Sequence, residues 1–173
     1  AASDVYKRQV LAGKMFDIPI SGTMAHSWVM FYNDEFEAFK KYAENYPDGT
    51  VLLVDTYDVL ESGIPNAIRV AKEVLEPMGK RLLGIRLDSG DLAYLSKKAR
   101  KMLDDAGLTD CKIVVSNSLD EFTINSLLEQ GACIDSFGVG ERMITSKSEP
   151  VFGAVYKMAA VEENGKFLSL IHI

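Results

Sequence analysis

From position 50 onward, short runs rich in β-branched residues alternate with amphipathic stretches of helical period. The predicted strands are VLLVD at 51–55, LLGIR at 82–86, KIVVS at 112–116 and IDSFG at 134–138. Their starts lie 31, 30 and 22 residues apart, which is the spacing of βα units that build a parallel sheet. The sequence therefore predicts an α/β fold with four parallel strands.

Helices are expected between these strands. The first begins at Pro65 and ends before Gly79, and the second ends at Gly107, since proline favours the first helical turn and glycine the left-handed residue after a helix. The third opens with Ser118 and Glu121 at the spacing of a capping box. The buried stripe of the first helix is predicted to consist of Ile64, Ile68, Ala71, Leu75 and Met78.

The segments on either side of the four units are less regular. Upstream, residues 26–47 are predicted to be largely helical, with Asp34 as a helix cap. The apolar side of this segment carries Phe36, Phe39, Tyr42 and Ala43. We expect these residues to belong to the core rather than to a platform for a ligand. Downstream, residues 151–162 are predicted to form a strand or hairpin arm that leads into the turn EENGK.

Each predicted strand runs into a short polar turn, namely VDTYD, RLDSGD, VSNSLD and FGVGER. A doubly wound sheet and a barrel both accommodate the spacing, but polar residues at the carboxyl ends of the strands favour a barrel. Four βα units cannot close an eight-stranded barrel, because closure fixes strand number, tilt and shear together. We therefore expect a partial barrel, a fragment of a longer protein.

Charge and hydropathy argue against several classes of partner. Nineteen Lys and Arg residues against 25 Asp and Glu residues give a net charge of −6, and there is no dense basic run, so we expect no binding to nucleic acid or to membrane lipid. No apolar stretch approaches the ~18 residues of a membrane span, and no secretory signal is evident, which favours a cytoplasmic protein. The two cysteines form no C-x-x-C pair and are expected to be reduced structural thiols.

The two ends of the chain fit poorly with their neighbours. AASDVYKRQ at the start and LSLIHI at the end look like translated adapter segments. We therefore expect residues 1–10 and 168–173 to be non-native and residues 11–167 to form the barrel-domain fragment. Because His172 falls in the second of these segments, His26 is the histidine considered for chemistry.

The turn R-L-D-S-G-D at 86–91 is the first candidate site. The guanidinium of Arg86 is a planar fork suited to a carboxylate or a phosphate, and Asp88 can accept hydrogen bonds from ribose hydroxyls or hold a divalent metal. Ser89 and Gly90 allow the backbone of the turn to come close to a ligand. The alternative is that Asp88 or Ser89 only caps the following helix.

The other strand-end turns offer further polar groups. In F-G-V-G, Gly138 and Gly140 leave room for phosphate oxygens to approach the backbone, although a plain tight turn fits equally well. V-D-T-Y-D contributes two carboxylates and the Thr56 hydroxyl, which suit Mg²⁺ or pyrophosphate, or else an aspartate at a capping position. Ser116 and Asn117 could reach a sugar or phosphate, or satisfy their own loop. No G-x-x-x-x-G-K-[ST] motif supports a Walker-type nucleotide site.

His26 follows a flexible Gly-Thr turn in SGTMAHS and stands at a helix start. A neutral imidazole can act as a base or as a nitrogen nucleophile toward phosphorus. A structural histidine is the alternative, and no Ser-His-Asp or Cys-His arrangement can be assembled from spacing.

Six segments taken together resemble the nicotinate phosphoribosyltransferase family. They are SGTMAHS at 21–27, LLVDTYD at 52–58, GIRLDSGDLAYLSKKAR at 84–100, SNSLDE at 116–121, FGVGERMITS at 137–146 and VYKMAAVE at 155–162. Their joint occurrence, in the family's order, is far more specific than any single motif. The resemblance implies a partial irregular (β/α) barrel of the type II phosphoribosyltransferase kind.

The resemblance also implies an activity and its residues. The family makes nicotinate mononucleotide and pyrophosphate from nicotinate and phosphoribosyl pyrophosphate, with ATP hydrolysis coupled and Mg²⁺ present. By resemblance, His26 accepts phosphate from ATP, Asp88 holds ribose hydroxyls and Arg86 faces nicotinate. Binding roles are further implied for Thr23, Thr56, Asp58, Ser89, Gly90, Asn117, Gly138 and Gly140.

Two alternatives to this function stay open. The first is nicotinamide phosphoribosyltransferase, which performs the same chemistry on an amide. The second is a barrel fragment that binds a sugar phosphate without turnover. The full-length protein is expected to be a homodimer, and its metal ligands are not identified by the resemblance.

Overall fold

A computed structural model describes residues 10–20, 22–144, 158–163 and 165–169. Its centre is a four-stranded sheet in the order β1-β2-β3-β4, formed by β1 (Val51–Leu53), β2 (Gly84–Leu87), β3 (Lys112–Val115) and β4 (Ser136–Phe137). All three neighbouring pairs of strands are parallel. The prediction of an α/β fold with four parallel strands is confirmed.

The observed strands are shorter than the predicted ones. β2 begins at Gly84 rather than at position 82, because Gly84 is the first residue in register with both Val51 and Lys112. An ideal Cβ at Gly84 would lie 2.8 Å from the carbonyl oxygen of Lys112. Only glycine permits so close an approach of the two backbones.

Three helices precede the sheet, namely α1 (10–16), α2 (His26–Phe31) and α3 (Glu35–Asn45). Asp34 caps α3 as predicted, since its carboxylate accepts the N–H groups of Phe36 and Glu37 at 2.7 and 3.3 Å. The burial of Phe36, Phe39 and Ala43 confirms the predicted apolar side. α3 is therefore fixed at its start by the cap and along its length by the core.

Tyr42, the fourth residue of that apolar side, is only partly buried. Its ring lies in a row of aromatic side chains, 6.3 Å from the ring of Trp28 and 5.1 Å from that of Tyr46, measured between centroids. Trp28 Nε1 also donates to the carbonyl of Ala38 at 3.2 Å. These contacts pack α2 against α3.

One continuous helical segment connects β1 to β2. It consists of a π-helical turn (Val59–Gly63), α4 (Ile64–Val70), a second π-helical turn (Ala71–Leu75) and a 3₁₀ turn (Glu76–Met78). Pro65 lies in the first turn of α4, as predicted, but the continuous segment begins earlier, where Asp58 caps the π-helical turn and accepts the N–H groups of Leu60 and Glu61. The predicted end at Gly79 is confirmed by its φ of 69°.

The predicted stripe of this segment matches its buried face only in part. Ile64 and Leu75 are buried as predicted, but Met78 is 45% exposed. Ala67 and Val70, which the stripe omitted, are fully buried. Met78 departs from the stripe because it lies in the 3₁₀ turn, where the period is shorter than 3.6 residues, whereas Ala67 and Val70 lie within regular α4 and extend the buried stripe on one side.

α5 (Leu92–Asp105) follows β2, and α6 (Glu121–Glu129) follows β3. The predicted left-handed stop of α5 at Gly107 is confirmed by its φ of 84°. The predicted capping box at Ser118 is wrong. Asp120 caps α6 instead, accepting the N–H of Thr123 at 2.8 Å, while Ser118 has a φ of 48° in the left-handed region. A carboxylate directly before the helix outcompetes the hydroxyl two residues earlier.

After β4 come α7 (Glu141–Ile144) and an antiparallel hairpin of β5 (Ala160–Glu163) and β6 (Lys166–Ser169). The hairpin reverses within the predicted turn EENGK. Positions 151–157 of the predicted strand lie outside the described residues.

A single hydrophobic core receives side chains from α2 to α6 and from the first three strands. Its largest fully buried members are Phe39, Leu52, Leu53, Ile64, Leu75, Ile85, Leu87, Leu103, Ile113, Leu119, Val29 and Val54. Both cysteines are free, as predicted, with Cys111 buried and Cys133 half-buried. None of the helices in the described ranges has the length and apolar character needed to cross a bilayer.

Substitution of Gly63 tests the close packing of the first π-helical turn against the end of β1. An ideal Cβ at Gly63 would lie 1.8 Å from the carbonyl oxygen of Val54. We expect Gly63→Ala to lower the free energy of unfolding by about 1–3 kcal/mol or more in urea denaturation. In the control Gly49→Ala, no heavy atom of the described residues lies within 4 Å of the new Cβ, and the change should stay below about 0.5 kcal/mol. Equal losses in the two variants would contradict this account.

Candidate active site

The carboxyl ends of three strands bring polar side chains to one edge of the sheet. Asp55 and Thr56 follow β1, Asp88 follows β2 and Ser116 follows β3, while Arg86 lies within β2. Neighbouring parallel strands end at the same edge, so side chains from different βα units meet there.

Arg86 is the centre of a hydrogen-bond network that spans three chain segments. Its Nε donates to Ser116 Oγ at 2.8 Å, and its Nη1 donates to Thr23 Oγ1 at 2.9 Å. Its Nη2 donates to Asp88 Oδ1 at 2.9 Å, and Ser116 Oγ donates to the same oxygen. The network fixes the orientation of Asp88 and joins the ends of β2 and β3 to the segment before α2.

Asp88 is held in its ionised form by these neighbours. Burial acts to raise the pKa of its carboxyl, but the contact with His26, the hydrogen bond from Ser116 and the charge of Arg86 outweigh burial and hold the pKa well below its usual range. The side chain is 27% exposed, so a ligand can reach it. Asp88 is therefore a fixed anionic acceptor for hydroxyl groups or for a cation.

His26, the first residue of α2, lies between the turns that follow β1 and β2. Its Nδ1 is 3.1 Å from Thr56 Oγ1. Its Nε2 is 3.8 Å from Asp55 Oδ1 and 3.7 Å from Asp88 Oδ2. The imidazole is 31% exposed. One ring nitrogen thus has a hydroxyl partner, while the other faces two carboxylates and the open side of the site.

Asp55 is the most buried charged side chain of the site, with 1% of its side chain exposed. Its Oδ2 accepts the backbone N–H of Asp88 at 2.8 Å and the hydroxyl of Ser89 at 2.6 Å. Its Oδ1 is buried and has no hydrogen-bond partner within the described part of the chain. A buried oxygen of this kind, directed toward His26, indicates a place for a proton donor or a cation.

The remaining predicted residues lie around this centre. Asp58 caps the helical segment after β1, and Gly90 has a φ of 78° in the turn before α5. Asn117 is exposed and has a φ of 92°. The N–H of Gly138 donates to the end of β3 at 2.7 Å, and Gly140 is exposed.

A cleft of about 290 Å³ adjoins Asp55. It is lined by Asp55, Tyr57, Asp58, Val59, Leu60, Ser89, Gly90 and Leu95. The cleft therefore connects the turn after β1 with the turn after β2.

The sequence offers the carboxylate of Asp55 and the hydroxyl of Ser116 as polar groups of strand-end turns but gives neither a specific role. Spacing along the chain does not reveal that Asp55 bonds the turn after β2 or that Ser116 bonds Arg86. The available signal was their position as the first polar residues after an apolar strand run. That position places a side chain at the edge where ligands bind in α/β folds.

Within the described residues, no cluster of three or more His, Cys, Asp or Glu side chains is arranged to hold a metal ion. Asp55 and Asp88 supply two carboxylates that face the same open space. Two carboxylates suit Mg²⁺, which usually completes its coordination with water and substrate phosphates.

A sequence model described as "Nicotinate phosphoribosyltransferase (NAPRTase) family" matches residues 7–171. The chain belongs to the nicotinate phosphoribosyltransferase family. It is 61% identical over 166 residues to the nicotinate phosphoribosyltransferase of Bacillus subtilis, covering 95% of this chain and 33% of that protein. It is 42% identical over 157 residues to nicotinate phosphoribosyltransferase pncB2 of Mycobacterium tuberculosis, covering 91% of this chain and 33% of that protein.

The structure is similar to a solved structure of human nicotinic acid phosphoribosyltransferase, with a TM-score of 0.69 and 29% identity. The match covers 75% of this chain and 36% of the human chain. These likenesses confirm the predicted type II phosphoribosyltransferase fold. The chain spans about a third of the length of the curated relatives it matches.

The low pKa of Asp88 contributes to stability in a pH-dependent way. Because the folded state favours the ionised carboxylate, the contribution is present above the ordinary pKa of 3.8 and is lost as the pH falls from there through the folded-state pKa. We expect Asp88→Asn to be less stable than the wild type at neutral pH, and the difference in the free energy of unfolding to shrink below pH 3.8. Urea denaturation of both proteins across this pH range measures the difference in the free energy of unfolding.

Asp105→Asn on α5 is the control for the loss of one exposed carboxylate. A difference between wild type and Asp88→Asn that stays constant with pH, or that Asp105→Asn reproduces, would contradict the assignment.

Proposed function

We propose that the full-length protein containing this chain transfers phosphoribosyl from phosphoribosyl pyrophosphate to nicotinate, with ATP hydrolysis coupled. The products are nicotinate mononucleotide and pyrophosphate, a step of NAD biosynthesis. The observation that carries the proposal is the meeting of His26, Asp55, Asp88 and Arg86 at one edge of the sheet, in a chain of this family.

His26 is proposed as the nucleophile toward ATP. Attack requires the tautomer whose Nδ1–H donates to Thr56 Oγ1, because Nε2 then keeps its lone pair; the proton through which Nε2 contacts Asp88 must leave Nε2 first. Nε2 attacks the γ-phosphorus, the bond from phosphorus to the bridging oxygen breaks, and ADP leaves with the electron pair. Attack by water on the phosphohistidine later releases phosphate and restores the imidazole.

Asp88 is proposed to hold the ribose hydroxyls of phosphoribosyl pyrophosphate. Its carboxylate is ionised and fixed in direction by Arg86 and Ser116, so binding requires no reorganisation of the acceptor. The turn residues Ser89 and Gly90 allow the sugar to approach the backbone.

The other predicted residues complete the proposed binding surface. The charge of Arg86 faces nicotinate; protein oxygens engage three of its five N–H groups, which leaves one on each terminal nitrogen for the substrate carboxylate. Backbone donors near Gly138 and Gly140 would meet phosphate oxygens. Contacts with substrate are also proposed for Thr23, Thr56, Asp58 and Asn117.

Mg²⁺ fits this site, since Asp55 Oδ1 is a buried carboxylate oxygen without a hydrogen-bond partner in the described residues. Asp55 would hold the ion, with water and substrate phosphates completing its coordination. When bound, it would neutralise the negative charge that two carboxylates and a phosphorylated substrate bring together. We further propose a cytoplasmic homodimer as the working form of the full-length protein.

The second candidate is transfer to nicotinamide. The GTMAHS and RLDSGD motifs favour the acid over the amide. Parallel assays with the two pyridines distinguish them, and equal use of both would overturn the assignment of the substrate.

Phosphate transfer from ATP tests the role of His26. The assay uses a chimera in which this chain replaces the matching third of the Bacillus subtilis relative, with ATP labelled on the γ-phosphate. We expect acid-labile label on His26, none in His26→Ala, and full label in the control His172→Ala. His26→Ala should also lose ATP stimulation and keep slow ATP-independent synthesis.

Full ATP stimulation in His26→Ala would remove His26 from this role. If the chimera folds and binds substrate but acquires no label, an uncoupled relative or a sugar-phosphate-binding fragment is favoured instead.

Asp88→Ala in the same chimera tests the ribose contact. Loss of hydrogen bonds to a charged acceptor should raise the KM for phosphoribosyl pyrophosphate by about 10- to 100-fold. ATP hydrolysis should fall far less, because the ribose contact belongs to the other substrate. Equal loss of both activities would indicate misfolding and would contradict the assignment.

A further inference from the structure

We infer that Glu35 is a positioning residue, which holds Ser62 and Asn66 and thereby keeps His26 aligned with Thr56. We call Glu35, Ser62 and Asn66 the Glu35 cluster. The effect of the Glu35 cluster on catalysis rests on the function proposed for His26, whereas its effect on the alignment of His26 does not depend on that function.

The Glu35 cluster is a buried polar contact between two helices. Glu35 is the first residue of α3 and is 5% exposed. Its Oε2 accepts from Ser62 Oγ and, at 3.0 Å, from Asn66 Nδ2. Asn66 Nδ2 also lies 3.3 Å from Ser62 Oγ, which closes the cluster into a triangle.

Stability alone does not explain a carboxyl group at this place. Its Oε1 is buried with no hydrogen-bond partner in the described residues, and burial raises the pKa of the carboxyl. No basic side chain pairs with it among the bonds of the described residues. A well-packed apolar residue would avoid the desolvation cost, so the polar contact supplies orientation rather than net stability.

The Glu35 cluster joins the same two chain segments as the contact between His26 and Thr56. His26 and Glu35 lie on α2 and α3, which are separated by residues 32–34 alone. Thr56 and Ser62 lie on the turn and helix that follow β1. The hydrophobic core packs α3 against α4 without directional bonds, and the Glu35 cluster adds directional hydrogen bonds to this contact.

The segment that carries Thr56 and Ser62 is rigidly packed, so a change in the position of Ser62 also moves Thr56. Gly63, next to Ser62, lies so close to Val54 that a Cβ would meet its carbonyl oxygen at 1.8 Å. Asp55 and Thr56 follow Val54 directly. The single bond from His26 to Thr56 contributes only about 1 kcal/mol, which is too little to align the imidazole by itself.

Ring nitrogen NMR of the full 173-residue chain tests the inference. The chain carries His172→Gln, so His26 is its remaining histidine, and histidine is labelled with ¹⁵N. Glu35→Leu removes the acceptor and is expected to shift the Nδ1 and Nε2 resonances of His26. Glu35→Gln keeps an oxygen for Ser62 and Asn66 and is expected to leave both resonances at their wild-type positions.

Leu103→Ala is the control for general destabilisation. Leu103 is fully buried on α5 and its apolar side chain cannot hydrogen-bond to the Glu35 cluster, so this variant should lower the Tm and leave the His26 resonances in place. Unchanged resonances in Glu35→Leu, or equal shifts in Leu103→Ala, would overturn the inference. If Glu35→Leu does not fold, Ser62→Ala is the test variant. It removes one donor to Glu35 and is expected to shift the His26 resonances in the same direction by a smaller amount.

The labelling assay in the chimera adds the catalytic readout. Misalignment of the imidazole should slow the labelling of His26 by about 10²-fold in Glu35→Leu, with ATP binding unchanged and with rescue by Glu35→Gln. A wild-type rate in Glu35→Leu would overturn the inference. If the wild-type chimera takes up no label, the proposed function fails, and the NMR result still decides the role of Glu35.

Discussion

The buried carboxylate of Asp55 joins the turn after β1 to the turn after β2 by hydrogen bonds, and the candidate site is arranged around this contact. Because one oxygen accepts both the backbone N–H of Asp88 and the hydroxyl of Ser89, the turn after β2 has a defined direction. Asp88 then presents its own carboxylate to Arg86 and Ser116. The other oxygen of Asp55 is left facing His26. Burying the carboxylate of Asp55 without these donors would cost folding free energy, so its burial and the conformation of the turn after β2 depend on each other.

The charges of the site follow from the same arrangement. Arg86 is the cation of the hydrogen-bond network, and its N–H groups are used to orient protein oxygens. Two carboxylates face the imidazole of His26 from different strands. A polyanionic substrate entering this space needs a compensating cation, which is the physical basis for proposing Mg²⁺. The acidic balance of the chain therefore does not conflict with a phosphorylated substrate.

Local signals in the sequence predicted most of the fold. The four strands and the helix stops at Gly79 and Gly107 followed from β-branched runs and from glycines that adopt positive φ. Pro65 lies in the first turn of α4 as predicted, but the helical segment begins earlier, at Asp58, and the capping box at Ser118 was wrong because Asp120 bonds the start of α6 instead. Periodicity could not anticipate the first π-helical turn, where Gly63 packs against Val54, the residue after β1.

The sequence by itself determined the α/β class, the polar turns at the strand ends and the family. These depend on residue order and on short-range conformational preferences, which can be read directly from the sequence. Only the tertiary structure decided that Asp55 bonds the turn after β2, that Thr56 contacts His26, and that Glu35 reaches Ser62. These partners are 27 to 34 residues apart in the chain. Asp55 meets the turn after β2 because neighbouring parallel strands end at one edge, whereas packing in the shared core brings α2 and α3 to the segment after β1.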